Sequence, residues 1–170
     1  MNQTLPGVPD NEWVFYTDGS CIGNPGPAGI GVVACFSNTD SQHLSKGIGR
    51  ATNNIAELEA INLALQMICE RLIEPRTGPS PPLPLAIRIR SDSKYAIGVV
   101  TKGWKISVNV ELITSVKRRF ALAKTLCPDI ELRYVPAHSN IVGNELADKL
   151  ALRGARSNIT TIPLIGCPPL

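Results

Sequence analysis

The sequence has few charged residues and no cysteine pattern of a disulfide framework or a zinc site. Charged residues make up 18% of the chain, below the usual quarter, while 44% of its residues are hydrophobic. This balance excludes an intrinsically disordered chain and allows a sizeable core. The five cysteines lack a C-x-x-C pair and lie at 21, 35, 69, 127 and 167. An odd, scattered set indicates free thiols in a reducing compartment.

Long apolar runs are also missing. No run reaches the roughly 20 residues needed to cross a bilayer, and the polar, proline-bearing segment 1–10 does not have the pattern of a secretory signal. We therefore expect no membrane partner and an intracellular location, cytoplasmic or nuclear. The length of 170 residues suits one domain with short tails. We expect a flexible N-terminal arm at 1–11, the domain at 12–154 and a C-terminal tail at 155–170.

The stretch 13–17, Trp-Val-Phe-Tyr-Thr, consists of strong strand formers. Such an apolar run predicts a central strand covered on both faces. The segment 18–27 that follows is rich in Gly, Pro and Asn, so we expect the strand to end at Asp18, in a loop that exposes its carboxylate. An Asp-Gly pair is equally common in a plain turn, so Asp18 alone leaves both interpretations open.

The remaining pattern predicts four more strands and four helices. Apolar runs and alternation place strands at 28–36, 43–49, 85–90 and 130–135. Apolar residues three and four apart, with cap residues before them, place helices from 52–54 to 74, from 91–93 to 100, from 110 to 126 and from 143 to 153. Five prolines make 75–84 an extended surface loop.

These elements predict a mixed α/β sheet of five strands. The first three strands are joined by tight turns and should be antiparallel, whereas the last two return through helices and should run parallel to the first. Asp18 and Asp92 would then lie at equivalent C-terminal ends of parallel strands, where open sheets of this kind bind ligands.

Each further acidic candidate also has an ordinary structural interpretation. Glu57, three residues after Asn54, fits the far half of a capping box. Asp92 fits the N-cap of the helix that it opens. Asp148 fits a solvated helix face, beside an i,i+4 pair of Glu145 and Lys149.

Taken together, the four carboxylates of Asp18, Glu57, Asp92 and Asp148 should converge at one edge of the sheet. Such a cluster would repel itself and stay partly protonated unless cations joined it. Hard divalent cations with oxygen ligands are the usual partners. Two such ions about 4 Å apart form a clamp for in-line displacement at phosphorus.

The same residues stand in four ordered motifs that resemble type 1 ribonuclease H. The motifs are Tyr-Thr-Asp-Gly-Ser-Cys at 16–21 with Gly-Asn-Pro-Gly-Pro at 23–27, Thr-Asn-Asn-Ile-Ala-Glu-Leu at 52–58, Ser-Asp-Ser-Lys-Tyr at 91–95, and Val-Pro-Ala-His at 135–138 with Gly-Asn-Glu-Leu-Ala-Asp at 143–148. The resemblance covers roughly 12–154. It implies an RNase H-like fold, with a five-stranded mixed sheet of order 3-2-1-4-5 flanked by helices.

The resemblance implies an endoribonuclease that hydrolyses the RNA strand of RNA–DNA hybrids by a two-metal-ion mechanism, leaving 3′-hydroxyl and 5′-phosphate ends. The implied cofactor is Mg²⁺, two ions per site, with Mn²⁺ able to substitute. Asp18 would bridge both ions, Asp148 would complete the site of the attacking water, and Glu57 and Asp92 would hold the ion at the leaving oxygen. His138 would shuttle a proton or help the product leave.

The resemblance also implies substrate contacts. Cys21, Asn24, Asn53 and Asn54 stand at family positions that touch the hybrid. A pocket for a DNA phosphate is matched by Arg50, Thr52 and Asn109. Setting the four site carboxylates aside leaves ten acidic residues against 17 basic ones, an excess of about seven positive charges that favours a polyanion. Candidates for the hybrid-facing side are Lys102, Lys105, Lys117, Arg118, Arg119 and Lys124.

The stretch 98–110 lacks the long basic handle of many cellular members and keeps only Gly-Trp-Lys at 103–105. In this it looks more like the domains of retroviral and retrotransposon polyproteins. Handle-less members can depend on a neighbouring domain, so a polymerase or hybrid-binding domain is a candidate partner of an otherwise monomeric chain. Two alternatives stay open: a non-catalytic nucleic-acid-binding or polyprotein scaffold domain of this fold, and a DNA-directed nuclease or integrase.

Overall fold

The computed structural model describes residues 7–75 and 82–157, which form one sheet and four helices. The strands are β1 (Glu12–Cys21), β2 (Gly26–Cys35), β3 (Ser41–Ala51), β4 (Ala86–Ser91) and β5 (Ile130–Tyr134). The helices are α1 (Asn53–Ile73), α2 (Lys94–Thr101), α3 (Val110–Leu126) and α4 (Val142–Ser157).

The sheet has the strand order β3-β2-β1-β4-β5, as predicted. β1 pairs antiparallel with β2 and parallel with β4, and β5 pairs parallel with β4. In the β1–β4 register Thr17 lies opposite Ser91. Asp18 and Asp92, the next residue of each chain segment, therefore lie side by side just beyond the β1–β4 pairing, as predicted, although Asp18 stays within β1 and only Asp92 leaves the sheet.

Helices cover both faces of the sheet. On one face, residues of α1, α2 and α3 pack with Phe15, Ile87 and Ile89 into the largest core. On the other face, α4 packs through Ala147 against the alternate residues of β1 and β2, among them Tyr16. β1 is thus buried on both sides, and residues 13 to 19 of its chain are all buried, as expected for a central strand.

The end of β1 differs from the sequence prediction. We expected the strand to stop at Asp18 and to expose its carboxylate, but β1 continues to Cys21, and Asp18 is only 6% exposed. Pairing with β2, where Asp18 faces Gly31 and Cys21 faces Ala28, overrides the turn chemistry of the segment. The loop between β1 and β2 is therefore only four residues, 22–25.

Ordered structure also extends beyond 12–154. Val8, within the arm expected at 1–11, is buried beside Val14 and Val33, and its N–H donates to Asn38 Oδ1 at 2.7 Å. At the other end, α4 continues to Ser157 and buries Ala155. The rest of the expected arm, tail and proline-rich loop, at 1–6, 158–170 and 76–81, lies outside the described residues. Within the described part of the chain, no helix combines the length and apolar character of a membrane span.

Candidate active site

A close approach of α1 to β1 brings the first two carboxylates together. A Cβ atom at Gly19 would lie 2.3 Å from the backbone N of Glu57, so only glycine lets the helix come so near. The approach places Glu57, which is 5% exposed, beside Asp18.

Carboxylate oxygens of Asp18, Glu57 and Asp92 all lie within 4.8 Å of one another. Asp18 and Glu57 are buried and Asp92 is half-buried. Glu57 Oε2 is buried and has no hydrogen-bond partner. None of the ion pairs among the described residues involves a member of this cluster. Three carboxyl groups thus share a confined space without a paired cationic side chain.

The pKa values of the cluster record this crowding. Burial, with the neighbouring carboxylates of Asp92 and Asp148, raises the pKa of Asp18 to about 8. Burial and the charges of Asp18 and Asp92 raise the pKa of Glu57 well above its usual value. Burial also raises the pKa of Asp92, against a hydrogen bond from Asn144 and the charge of His138. The site therefore binds protons in place of an absent positive charge.

Asp148 and His138 lie at the rim of the cluster. Asp148 stands on α4, is exposed, and does not belong to the set within 4.8 Å, although its charge acts on both Asp18 and Glu57. His138 is exposed in the loop between β5 and α4, with φ of 51°, and its charge acts on Asp92. The four predicted carboxylates thus share one site, with three in close contact and the fourth beside them.

The capping roles considered for Glu57 and Asp92 are not observed, whereas Asp148 does lie on an exposed helix face. Glu57 is the fifth residue of α1, in its second rather than its first turn, and the N-cap Thr52 bonds Ile55 N–H, so no capping box includes Glu57. The N-cap of α2 is Ser93, not Asp92. No ion pair among the described residues joins Glu145 to Lys149 beside Asp148. Helix capping therefore does not account for Glu57 or Asp92.

The loop 22–25 docks on the start of α1, and four of the predicted substrate residues lie in or next to these two segments. Asn24 Oδ1 accepts the N–H of Asn53 at 3.2 Å. Cys21 Sγ lies 2.6 Å from the carbonyl oxygen of Gly23 and 3.1 Å from that of Ala51, so its single S–H can donate to either one. Asn53 and its neighbour Asn54 are exposed in the first turn of α1, so their side-chain amides are accessible to a ligand.

The three residues predicted to bind a DNA phosphate lie in two separate places in the fold. Arg50 and Thr52 flank the junction of β3 and α1, where Arg50 is exposed and the Thr52 hydroxyl caps the helix. Asn109 precedes α3 with a left-handed φ of 56°, and its side chain makes no capping bond. No hydrogen bond among the described residues connects Asn109 with the other two. Of the basic candidates, Arg119 is engaged, because its Nη1 donates to Asn62 Oδ1 at 2.7 Å.

Asn144 is a site residue to which the sequence analysis assigned no role. It lies in the first turn of α4, is 3% exposed, and hydrogen-bonds the Asp92 side chain. A signal was available, because Asn144 stands four residues before Asp148 and therefore on the same helix face.

The cluster fits hard divalent cations. All its donors are carboxylate oxygens, the type that Mg²⁺ and related ions prefer. The unpartnered Glu57 Oε2 and the raised pKa values show that positive charge would be stabilised there.

Comparison with known proteins agrees with this geometry. The family model described as RNase H matches residues 10–156. A ribonuclease H of Mannheimia succiniciproducens is 35% identical over 164 residues, covering 91% of this chain and 93% of the relative. RNase H1 of the halophilic archaeon Halobacterium salinarum superimposes with a TM-score of 0.65 at 28% identity, over 86% of this chain and 98% of that one. LC11-RNase H1, solved in complex with an RNA/DNA hybrid, superimposes with a TM-score of 0.66 at 26% identity, over 86% of this chain and 99% of that one. The chain therefore belongs to the RNase H family.

Proposed function

We propose that the chain is an endoribonuclease that hydrolyses the RNA strand of RNA–DNA hybrids and leaves 3′-hydroxyl and 5′-phosphate ends. The observation that carries the proposal is the cluster of Asp18, Glu57 and Asp92, whose oxygens lie within 4.8 Å of one another without a paired cation. The solved complex of LC11-RNase H1 with an RNA/DNA hybrid supports the same substrate for this chain.

The cluster would hold two divalent cations, Mg²⁺ with Mn²⁺ as a substitute. Asp18 would be a ligand shared by the two sites, Glu57 and Asp92 would serve the ion that stabilises the leaving oxygen, and Asp148 would serve the ion that activates the attacking water. When bound, such ions stabilise the charge that develops at phosphorus and lower the pKa of a water nucleophile.

His138 would manage protons at the rim of the site. Its imidazole is exposed in a loop rather than packed, and its charge acts on Asp92. An imidazole at the rim of a site can pass a proton between the reacting groups and solvent. We assign it proton transfer or product release rather than cation binding.

Short polar groups beside the cluster would read the hybrid by its backbone and 2′-hydroxyls rather than by its bases. Such groups are found at the start of α1, a few residues before Glu57, on Asn53 and Asn54. The loop that docks there adds Asn24, and the end of β1 adds Cys21. The bond from Asn53 N–H to Asn24 Oδ1 holds this surface in one shape before the substrate arrives.

Arg50, Thr52 and Asn109 would grip a phosphate of the DNA strand. The exposed guanidinium of Arg50 supplies a fixed charge and a planar pair of donors, which suits a phosphate. The free side chain of Asn109 at the start of α3 adds a further donor.

The short connector between α2 and α3 bears on the partners of the enzyme. Residues 102–109 form no regular element and expose Trp104, Lys102 and Lys105. So small a surface favours help from a neighbouring polymerase or hybrid-binding domain, with the catalytic chain itself a monomer.

The test is a substrate panel. The purified chain is incubated with Mg²⁺ and an RNA–DNA hybrid labelled on either strand, a duplex DNA and a duplex RNA. We expect cutting of the RNA strand of the hybrid alone, abolished by EDTA, with ends that a DNA polymerase can extend. Cutting of duplex DNA would favour the DNA-directed nuclease, and binding without cutting would favour the scaffold domain.

A further inference from the structure

Asn144 occupies an unusual place for a polar side chain. It is 3% exposed and lies at the start of α4, where the preceding Gly143 packs directly on the Tyr16 ring. Its side chain hydrogen-bonds the carboxyl of Asp92. Because Asn144 Oδ1 makes no hydrogen bond, the atom that bonds Asp92 is Nδ2, which donates to the carboxyl oxygen.

The other half of the same amide has no partner. Asn144 Oδ1 is buried and makes no hydrogen bond. Oδ1 and Nδ2 are bonded to the same carbon, so the unpartnered acceptor is buried next to the atom that bonds Asp92. Only two buried side-chain oxygens of the described residues lack a partner, and the other, Glu57 Oε2, belongs to the cluster itself.

A buried acceptor without a partner costs about 1–3 kcal/mol of folding free energy. An apolar residue of similar size would avoid that cost if the position only filled space. Divalent cations such as Mg²⁺ usually keep several water molecules when carboxylates bind them. The water molecules of a hydrated cation could therefore donate a hydrogen bond to Asn144 Oδ1.

We propose that Asn144 is a positioning residue of the cation site: its Nδ2 holds the Asp92 carboxylate toward Asp18 and Glu57, and its Oδ1 accepts a hydrogen bond from water that the cation brings. The inference rests on the proposed function, because it requires that the carboxylates bind a divalent cation. Asn144 itself touches neither the cation nor the substrate. Its effect passes through Asp92 and through the ordered water.

The test measures cation binding in the absence of substrate. Mn²⁺ is titrated into the full chain, and the free ion is counted by electron paramagnetic resonance. In Asn144→Leu, which keeps the volume but removes both polar atoms, we expect Mn²⁺ affinity to fall by about 10- to 100-fold, as for other outer partners of metal ligands. The Mg²⁺ concentration for half-maximal cleavage should rise in parallel, while the KM for the hybrid stays unchanged.

The matched control is Asn62→Leu on α1. Asn62 is half-buried, and its amide also bonds a charged side chain, Arg119, but it does not belong to the carboxylate cluster. It should lose stability without losing Mn²⁺ affinity. If Asn144→Leu does not fold, Asn144→Ala takes its place.

The outcomes separate the two claims. A folded Asn144 variant that binds Mn²⁺ as tightly as the wild type would overturn the role of Asn144 and leave the proposed function intact. A wild-type chain that binds no Mn²⁺ and cuts no hybrid would overturn both.

Discussion

Among single residues, Asp18 carries the strongest conflict between folding and function. Its carboxyl is 6% exposed and lies beside Glu57 and Asp92, so ionisation is opposed by burial and by like charges. A protein selected only for stability would place an apolar or amide side chain there. The conflict is relieved by protons when no cation is present and by cations when they bind.

This conflict predicts that the stability of the metal-free protein falls as pH rises, the opposite of what a carboxylate stabilised in its ionised form would give. The pKa of Asp18 is raised to about 8 in the folded protein, from its usual value of 3.8, so at neutral pH the folded state binds a proton that the unfolded state has lost. Its contribution to stability is full below the unfolded pKa and is lost as pH rises toward 8. Without divalent cations, the free energy of unfolding in urea should fall by more than about 1 kcal/mol between about pH 5 and pH 8.5.

Two controls assign that slope to the cluster. Asp18→Asn, which cannot ionise, should flatten it and raise stability at the alkaline end. Added Mg²⁺ should do the same for the wild type, because the cation replaces the proton. If the free energy of unfolding of the metal-free wild type instead rises with pH, ionisation of the carboxylates does not destabilise the folded state, and the prediction is contradicted.

Asn24 should matter for binding rather than for chemistry. Its Oδ1 holds the N–H of Asn53 and so fixes the surface proposed to contact the hybrid. Asn24→Ala should raise the KM for the hybrid about 3- to 10-fold, the loss of about one hydrogen bond, with kcat little changed. Asn38→Ala is the matched control, since Asn38 Oδ1 also bonds a backbone N–H, that of Val8, outside the candidate site. A fall in kcat with an unchanged KM would contradict this assignment.

Among the elements, the approach of α1 to β1 creates the site. Glu57 is placed by a helix that comes close to the strand only because Gly19 has no side chain. The helix buries Leu58, Ile61 and Leu65 in the main core, so its position is rigid. The distance between the Glu57 and Asp18 carboxylates is thus determined by the packing of α1 on the sheet and not by interactions between the carboxylates themselves.

Gly19→Ala tests this coupling. The added methyl would lie 2.3 Å from the backbone of α1, and neither the central strand nor the helix can yield cheaply. We expect a loss of about 1–3 kcal/mol in unfolding free energy. A shift of about 1 Å at Glu57 should lower kcat by about a hundredfold. The control Gly7→Ala adds a methyl at ordinary contact distance, 3.6 Å from Asn38, and should change neither quantity. Unchanged activity of Gly19→Ala would refute the coupling.

Element boundaries show what local sequence can determine. α3 begins at Val110 and ends at Leu126 as predicted, and Pro75 ends α1 where expected, because these limits depend on adjacent residues. The predicted end of β1 was wrong. The last residues of the strand are held by pairing with β2, and the local sequence gives no signal of that pairing. The N-cap of α2 is Ser93. The sequence has three consecutive polar residues at 91–93, so the local pattern could not show whether Asp92 or Ser93 caps the helix.

The candidate site follows the same division. The parallel order of β1 and β4 was enough to predict that Asp18 and Asp92 lie side by side, and the motif that contains Glu57 indicated the third carboxylate. The burial of Asp18 and the bond of Asn144 to Asp92 depend on contacts between distant segments, so they emerged only from the three-dimensional structure.

For the whole molecule, the distribution of charge governs encounter with substrate. Outside the four site carboxylates the chain carries an excess of about seven positive charges. Lys124 and Arg118 on α3 are exposed, whereas Arg119 is held by Asn62.

Hybrid binding should therefore depend on salt. With Asp18→Asn to prevent cutting, affinity should fall more than about tenfold between about 50 mM and 200 mM salt, because phosphate contacts release counterions. Arg118→Ala should weaken binding and reduce the slope, whereas Arg119→Ala should mainly reduce stability. Affinity that is independent of salt would contradict a charge-driven surface.

The most direct test of the central claim compares wild type with Asp18→Asn on a strand-labelled RNA–DNA hybrid in Mg²⁺. We predict cutting of the RNA strand by the wild type, none by EDTA-treated enzyme, and none by Asp18→Asn, although that variant folds and still binds the hybrid. Cutting by Asp18→Asn at the wild-type rate would contradict the claim, because the carboxylate cluster could not then be the catalytic centre.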